Sequence, residues 1–232
     1  MTQRKNNAWI GELGAVLLLL LLFKFSWRIP AVQAAFTVDQ SLMARWQLWA
    51  AWVGWVIFSI YWEIAKSRNT QATKVESAVS RGIHALLVNV ALLMVVAPVR
   101  GLGRFEPESS VLLSPLMTLG IAVEATGLFV AIWARRHLGR YWSGEITLMA
   151  DHQLIRTGPY RKLRHPIYTG LLSMYAGSAL ITGTWVAIIG VAVAVLAYLR
   201  KLRLEEANML SAFGLDYEEY RRESWALLPV IV

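Results

Sequence analysis

Runs of apolar residues long enough to cross a bilayer are the feature that most constrains the fold of this chain. A helix rises about 1.5 Å per residue, so about 20 apolar residues span a hydrocarbon core about 30 Å thick. Four runs approach or reach this length, at residues 8–23, 46–65, 83–99 and 111–134. The composition, 56% hydrophobic and only 16% charged, also favours a membrane protein over a soluble domain.

A fifth run, residues 167–199, contains no formal charge. A single helix of that length would be about 50 Å long, too long for one ordinary crossing. Thr182-Gly183-Thr184 near its middle is a natural turn, so we expect two helices packed as a hairpin. The sequence therefore predicts an all-α, polytopic integral membrane helical bundle. It has six transmembrane segments with a C-terminal helix hairpin, or five if the run does not fold back.

The placement of charge predicts the orientation. Of the 23 Lys and Arg residues, 18 fall in alternate loops and the two terminal segments, and 5 fall on the opposite side. Because cytoplasmic loops carry the excess of positive charge, we expect both termini to lie in the cytoplasm. The protein itself is expected in an inner or cytoplasmic membrane, with its active site facing the cytoplasm. The net charge of +8 follows from this topology, and no nucleic-acid partner is predicted.

The first apolar run has a second interpretation. Arg4-Lys5, the run itself and Val32-Gln33-Ala34 beyond it also resemble a secretory signal with a cleavage site. Trp9 and Trp27 at its two ends favour a retained helix, because tryptophan concentrates at membrane interfaces.

A basic stretch interrupts the apolar pattern at residues 154–170, LIRTGPYRKLRHPIYTG. Pro166 cannot continue a helix from upstream but is well suited to begin one, and His165 before it is pushed towards extended geometry. The N-terminus of such a helix, with Arg164 and His165 beside it, would hold a carboxylate or phosphate. Tyr168 in the first turn would offer a hydroxyl. For Arg156, Arg161 and Lys162 we favour topology or headgroup contact instead.

A second polar group follows the hairpin. Glu205 and Glu206 would either pair with nearby arginines or bind a ligand. The Phe213-Gly214 step ends their helix, and Tyr217 and Tyr220 share one face of a short amphipathic helix beyond it. Glu124, costly in hydrocarbon, is expected to face the bundle interior. His84 and His137 are interpreted as interfacial, no metal site is predicted, and the absence of cysteine excludes thiol chemistry.

Together these segments resemble a known family. HQLIRTGPYRKLRHPIYTG (152–170), EEANMLSAFGLDYEEY (205–220) and the closing LLP (227–229) are similar to the isoprenylcysteine carboxyl methyltransferases and their phospholipid N-methyltransferase relatives. The resemblance covers about the last 100 residues. It divides the chain into N-terminal transmembrane helices, residues 1–108, which are scaffold or substrate-selecting, and a catalytic core, residues 109–232.

The resemblance implies S-adenosylmethionine as methyl donor, bound from the cytoplasm, and a lipidic or prenylated substrate that approaches through the bilayer. His152 and Leu154 would meet the adenine, and Gly158 and Tyr160 would shape the loop over it. The remaining family positions would hold the methionine end (Arg164, His165 and Tyr168), take the ribose or the ammonium (Glu205 and Glu206) and close the pocket (Tyr217 and Tyr220).

The chain departs from the family at one position. Eukaryotic members have an arginine for the substrate carboxylate where this chain aligns Ala131. Other arginines would have to bind the substrate carboxylate instead. The candidates are Arg135 and Arg136, close to Ala131, and Arg221 and Arg222, near the C-terminus. This departure leaves phosphatidylethanolamine N-methylation open as a second activity. A more distant alternative is an NADPH-dependent sterol reductase, and the alternative without enzymatic activity is a scaffold that binds anionic lipids.

Overall fold

A computed structural model of the protein describes residues 46–66, 73–74, 76–96, 103, 115–142, 147–148 and 154–227. Six α-helices occur in this part of the chain: α1 Trp46–Lys66, α2 Ala78–Val96, α3 Pro115–Leu138, α4 Pro166–Thr182, α5 Trp185–Phe213 and α6 Leu215–Glu223. Two short strands, β1 Thr73–Lys74 and β2 Thr147–Leu148, pair antiparallel. The all-α prediction is therefore confirmed in outline, and the apolar run 8–23 lies outside the described residues.

Three of the described helices, α2, α3 and α5, are long and apolar enough to cross a membrane. The apolar stretch of α1, Ala51–Ala65, is shorter. Large apolar side chains are exposed on the outer faces of all four helices, among them Ile60, Leu86, Phe129 and Leu196. Such exposure is expected of surfaces that face lipid rather than water.

The predicted hairpin is present. Helix α4 ends at Thr182, Gly183 takes the left-handed conformation with φ 66°, and α5 begins at Trp185. The Thr184 hydroxyl accepts a hydrogen bond from the backbone N–H of Ala187, 3.2 Å away, and so caps α5. A left-handed glycine followed by a capping threonine lets the chain reverse within two residues.

Helices α3 and α4 pack unusually closely. A methyl group added to Gly127 would lie 2.5 Å from the backbone oxygen of Gly170, and one added to Gly170 would lie 2.6 Å from that of Gly127. About two helical turns away, Gly120 and Gly177 make the same reciprocal contact. Because glycine has no side chain, the two backbones approach each other as small residues allow in membrane bundles.

Cross-helix contacts define which helix ends lie together. Arg135 near the end of α3 donates to the carbonyl of Ala65 near the end of α1, at 2.9 Å. Lys201 of α5 pairs with Glu76, just before α2, also at 2.9 Å. The ends of α1 and α3, the start of α2 and the polar part of α5 therefore lie at one end of the bundle. The hairpin turn lies at the opposite end, where the Trp185 N–H donates to Gly103.

Candidate functional site

The site is organised by a short pairing between the residues that precede α4 and the C-terminal segment. The backbone N–H of Arg164 donates to the Trp225 carbonyl (2.8 Å), and that of His165 donates to the Ala226 carbonyl (3.0 Å). Helix α4 begins at Pro166, as predicted, because proline has the φ of a first helical residue and lacks an N–H. The N–H groups of Arg164 and His165 are thus already satisfied by the protein and are not open to an anion.

Arg164 joins the helix start to the acidic pair on α5. Its Nε lies 2.7 Å from Oε1 of Glu206, and the Arg164 side chain is only 2% exposed. The guanidinium also donates to the carbonyls of Arg221 and Ser224. The two segments that the sequence separates by about 40 residues are therefore in direct contact.

His165 lies between both acids. Its Nδ1 is 3.5 Å from Glu205 Oε2 and its Nε2 is 3.4 Å from Glu206 Oε1, in a side chain that is 10% exposed. The Nε2 contact has ion-pair distance without hydrogen-bond geometry, so this buried nitrogen lacks a hydrogen-bond partner among the described residues. Burial alone would lower the pKa of His165, but the two carboxylates outweigh it, and the pKa is raised above its ordinary value of 6.5.

Tyr168 completes this cluster from the first turn of α4. Its hydroxyl donates to Glu205 Oε1, and its ring stacks on that of His165 with centroids 5.5 Å apart. The predicted set Arg164, His165, Tyr168, Glu205 and Glu206 is thus one contiguous polar cluster at the end of the bundle.

Helix α6 covers the cluster. Its break from α5 occurs at Gly214, with φ 52°, where the Phe213-Gly214 step predicted it. Tyr217 and Tyr220 are both buried, with ring centroids 6.0 Å apart, and the Tyr220 hydroxyl donates to the Tyr160 carbonyl. Burial raises the pKa of Tyr220 to about 12, so its hydroxyl stays protonated at neutral pH.

The loop before the site carries the remaining predicted cofactor residues. Gly158 has φ 58° and begins a short 3₁₀ turn, and a methyl group on it would lie 2.6 Å from the His137 ring. Tyr160 is buried in the core, and Leu154 is half-buried. His137 hydrogen-bonds to the Thr157 hydroxyl at 2.9 Å, so it supports this loop. His152 lies outside the described residues.

The four predicted guanidinium groups have different surroundings. Arg135 is buried and donates to the carbonyls of Gly139 and Ala65, with its guanidinium carbon 4.1 Å from the centroid of the Trp142 ring. Arg136 is exposed. Arg221 lies 3.6 Å from Glu206, whereas Arg222 is 81% exposed beside Glu218. Of the four, only Arg221 touches the polar cluster.

A cavity of about 650 Å³ opens beside the cluster. It is lined by residues of the helix start, of α6 and of the segment after it: Arg164, Glu218, Arg221, Arg222, Glu223, Ser224 and Trp225. Its volume is in the range of small-molecule sites. Arg164 and Arg221 connect it to the polar cluster.

A separate polar group lies deeper in the bundle, and sequence reasoning found only one of its members. Glu124 is 3% exposed, as expected for an inward-facing residue, and its Oε2 accepts a hydrogen bond from Ser178 at 2.9 Å. Ser178 in turn accepts from the Trp55 indole at 2.9 Å. No local pattern marks Ser178 or Trp55, because their roles depend on the packing of α1, α3 and α4.

His84, which the sequence analysis interprets as interfacial, also packs against a neighbouring helix of the bundle. Its ring packs against Tyr198 of α5, with centroids 5.3 Å apart, and its Nδ1 is a buried atom without a hydrogen-bond partner among the described residues. The spacing along α2 indicates this packing. Val88, Ala91 and Val95 follow His84 at intervals of three and four residues, lie on the same helix face and pack in the core.

The helices and the cluster define a class of protein: an integral membrane helical bundle with a buried polar cluster at one end. Residues 115–216 match the sequence profile of the phospholipid methyltransferase family. The protein-S-isoprenylcysteine O-methyltransferases of Schizosaccharomyces pombe and Dictyostelium discoideum are 30% and 29% identical to the chain over 82 residues, which is 35% of this chain and 35% of each relative. The C-terminal half is therefore similar both to the phospholipid methyltransferase family and to the isoprenylcysteine O-methyltransferases.

A longer match is with the methanethiol S-methyltransferase of Mycobacterium tuberculosis, 31% identical over 169 residues, or 67% of this chain and 66% of that protein. The chain thus spans about a third to two thirds of the length of these curated relatives. Among solved structures, a eukaryotic intramembrane Ras methyltransferase, isoprenylcysteine carboxyl methyltransferase, is similar with a TM-score of 0.49 and 19% identity, covering 68% of this chain and 55% of that one.

Proposed function

We propose that the protein is an S-adenosylmethionine-dependent membrane methyltransferase that acts on a lipidic acceptor, most like isoprenylcysteine carboxyl O-methylation. The observation that carries this proposal is the direct contact of Arg164 and His165 with Glu205 and Glu206. These residues belong to the two motifs that resemble the family, and a ligand bound by both motifs requires that they meet.

The residues present fit the proposed methyl donor. The methionine end of S-adenosylmethionine carries an ammonium and a carboxylate, and the cluster offers carboxylates for the first and cationic or hydroxyl groups for the second. The buried Nε2 of His165, without a hydrogen-bond partner among the described residues, is a polar atom that a ligand would satisfy.

Each predicted cofactor-binding residue has a role in this proposal. Glu205 and Glu206 would take the ammonium or the ribose hydroxyls, and Arg164, His165 and Tyr168 would hold the methionine end. His152, Leu154, Gly158 and Tyr160 would surround the adenine, with Tyr217 and Tyr220 closing the site. When bound, the donor supplies a methyl group on a positively charged sulfur. The chain then needs only to align the acceptor and exclude water, for which its buried tyrosines are suited.

The topology of the proposal follows from the charge pattern. We place the polar end of the bundle at the cytoplasmic face, with six spans and both termini in the cytoplasm. The described basic residues near that end, including Arg135, Arg164, Lys201 and Arg221, support this orientation. Residues 1–108 would serve as scaffold or select the substrate.

Methyl transfer tests the proposal directly. The purified protein in lipid nanodiscs is given methyl-labelled S-adenosylmethionine with a lipid extract or a prenylcysteine, and the label is followed into lipid by mass spectrometry. We expect transfer by the wild type and its loss in His165→Ala and Glu206→Ala. Full activity in both variants would remove the site assignment.

The same assay separates the alternatives. Release of the label as methanol under mild base identifies an ester, whereas a methylated amine of phosphatidylethanolamine retains it. Protection against heat by NADPH, with none from S-adenosylmethionine, would instead favour a reductase.

A second candidate activity is S-methylation of a thiol. The 169-residue match with methanethiol S-methyltransferase favours it, because it is longer than the match to the family profile, residues 115–216. Labelled product from a simple alkanethiol, with none from a prenylcysteine, would support this candidate over carboxyl methylation.

A further inference from the structure

Helix α6 is held on the rest of the protein by polar contacts more than by apolar packing. Six of its nine residues are charged, and its buried residues are Tyr217 and Tyr220. Leu215, its one aliphatic residue, is 81% exposed. Because most of the stability of a helix in a protein comes from packing of its apolar face, an element with so little of it opens at low cost in free energy.

The two ends of α6 are held differently. At its start, Gly214 has φ 52°, and a methyl group on it would meet nothing within 4 Å. Beyond its end, the backbone of Trp225 is fixed on both sides: its N–H donates to the Lys162 carbonyl at 2.9 Å, and its carbonyl accepts from the Arg164 N–H at 2.8 Å. The helix is therefore a strap between a glycine, which has wide conformational freedom, and an anchored segment.

The strap covers groups that a polar cofactor would have to reach. The side chains of Arg164, His165 and Glu206 are only 2%, 10% and 13% exposed. The cavity of about 650 Å³ is lined by Arg164 and Arg221, which both contact Glu206, whereas Glu206 itself is not among the described residues that line it. A cofactor that arrives from water therefore needs α6 to move before it meets the acids.

One side chain outside the proposed cofactor site contacts α6 at three points. Arg156, in the loop before the site, donates to Glu219 Oε2 at 3.2 Å and to the Asp216 carbonyl. Its guanidinium carbon also lies 5.6 Å from the centroid of the Tyr220 ring. The Arg156 and Glu219 side chains are 31% and 64% exposed, so the ion pair is weak. Weak contacts of this kind are suited to an element that opens and closes during each cycle of binding and release.

We propose that α6 is a lid that opens to admit S-adenosylmethionine and to release the spent cofactor, and that Arg156 is the latch that sets how often it opens. This inference rests on the proposed function and adds the control of cofactor exchange to it. Arg156 acts through α6 and is a positioning residue, a role other than the headgroup contact that its place in the sequence favours. Salt weakens the latch, because it screens an exposed ion pair.

Exchange kinetics test the latch. The ligand is labelled S-adenosylhomocysteine, which has no methyl group to transfer, and its association and dissociation rates are measured on the full chain in nanodiscs. We expect Arg156→Ala to raise both rates about tenfold, since it removes an ion pair, a hydrogen bond and a cation–π contact. The dissociation constant should change little, because the latch holds the lid over the empty and the occupied site alike.

Two further variants show whether the effect belongs to the latch. Arg156→Lys keeps the charge but lacks the fork that reaches both Glu219 and the Asp216 carbonyl, so it should recover part of the slow exchange. Arg161→Ala is the matched control, because Arg161 is an exposed arginine of the same loop without a described contact to α6. It should leave both rates unchanged. High salt should speed exchange in the wild type more than in Arg156→Ala.

A covalent lock tests the lid itself. The chain contains no cysteine, so thiols introduced by the double substitution Arg156→Cys, Glu219→Cys can be joined selectively by a short bis-maleimide. Joining them in the empty protein should block binding of S-adenosylhomocysteine, and joining them in the loaded protein should trap it. The same double variant treated with a monofunctional maleimide should still exchange its ligand.

Hydrogen exchange of the ligand-free protein follows the lid without any cofactor. The amides of α6 should exchange faster than those of α4, and Arg156→Ala should speed them further while Arg161→Ala does not. Ligand exchange that is as fast in the bridged protein as in the unbridged one, or α6 amides as protected as those of α4, would overturn the inference. A wild type whose α6 opens as expected but which binds neither S-adenosylmethionine nor S-adenosylhomocysteine would instead overturn the proposed function, so the two failures are distinguishable.

Discussion

Arg164 and Glu206 form a buried ion pair, with Nε and Oε1 2.7 Å apart and side chains 2% and 13% exposed. The pair joins the start of α4 to the polar end of α5, so it fixes both halves of the candidate site. A buried pair contributes little relative to an apolar alternative, but removal of one partner leaves the other charged and uncompensated.

Glu206→Gln should therefore destabilise the protein. We expect a loss of about 3 kcal/mol, the lower part of the range for a broken buried pair, because Arg164 keeps its bonds to the Arg221 and Ser224 carbonyls. Unfolding of the protein in detergent measures the change. Glu218→Gln is the matched control: its partner Arg222 is 3.9 Å away and 81% exposed, so the change should be within about 0.5 kcal/mol. Equal effects of the two substitutions would contradict the burial argument.

The glycine contacts between α3 and α4 predict opposite changes in stability for two glycine-to-alanine substitutions. Gly127→Ala would place a methyl group 2.5 Å from the Gly170 carbonyl oxygen, which is backbone and cannot move aside cheaply. We expect destabilisation of about 1–3 kcal/mol from overpacking. Gly82→Ala on α2 meets nothing within 4 Å and should stabilise its helix by about 0.5–1 kcal/mol. Thermal unfolding of the two variants should move in opposite directions, and a shared direction would count against the close approach of the two helices.

His165 should make stability depend on pH. Its pKa is raised in the folded state above the ordinary value of 6.5, because the carboxylates of Glu205 and Glu206 outweigh the effect of burial. A histidine whose pKa is raised on folding stabilises the folded protein. This contribution is fully present below about pH 6.5 and is lost as the pH rises through the pKa of the folded state. The difference in unfolding temperature between the wild type and His165→Gln should thus be largest at acidic pH and shrink towards alkaline pH. A difference that grows with pH would show that the histidine is neutral in the folded protein.

The second buried ion pair, Glu76 with Lys201, predicts strong energetic coupling between these two side chains. Burial alone would raise the pKa of Glu76, but the Ser80 hydroxyl and the Lys201 ammonium lower it overall. A lowered folded pKa contributes stability above about pH 4.5 that is lost as the pH falls through the folded value. Lys201→Met alone should cost about 3–5 kcal/mol, because it leaves Glu76 buried and unpaired.

The double variant Glu76→Gln, Lys201→Met should recover much of that cost, since neither charge remains. A double-mutant cycle measured near pH 7 checks this expectation. Strictly additive losses would mean that the two side chains do not form the pair seen at 2.9 Å.

Residues with a strong local preference were predictable. Pro166, Gly183 and Gly214 begin or end helices by their own backbone geometry, and the structure places α4, the hairpin turn and the break before α6 at these residues. Arg135 was less predictable. Its position predicts a partner for a substrate carboxylate, and its described contacts are with two carbonyls and the Trp142 ring.

By itself the sequence determined the apolar spans, the breaks between them and the identity of the charged residues at the site, because length, proline, glycine and charge act on the chain locally. Only the tertiary structure decided which polar groups meet: His165 with both acids, Glu124 with Ser178, and His84 with Tyr198. The physical reason is that these contacts depend on the rotation and separation of packed helices. Packing contacts between helices, such as the close approach of Gly127 and Gly170, set that rotation and separation.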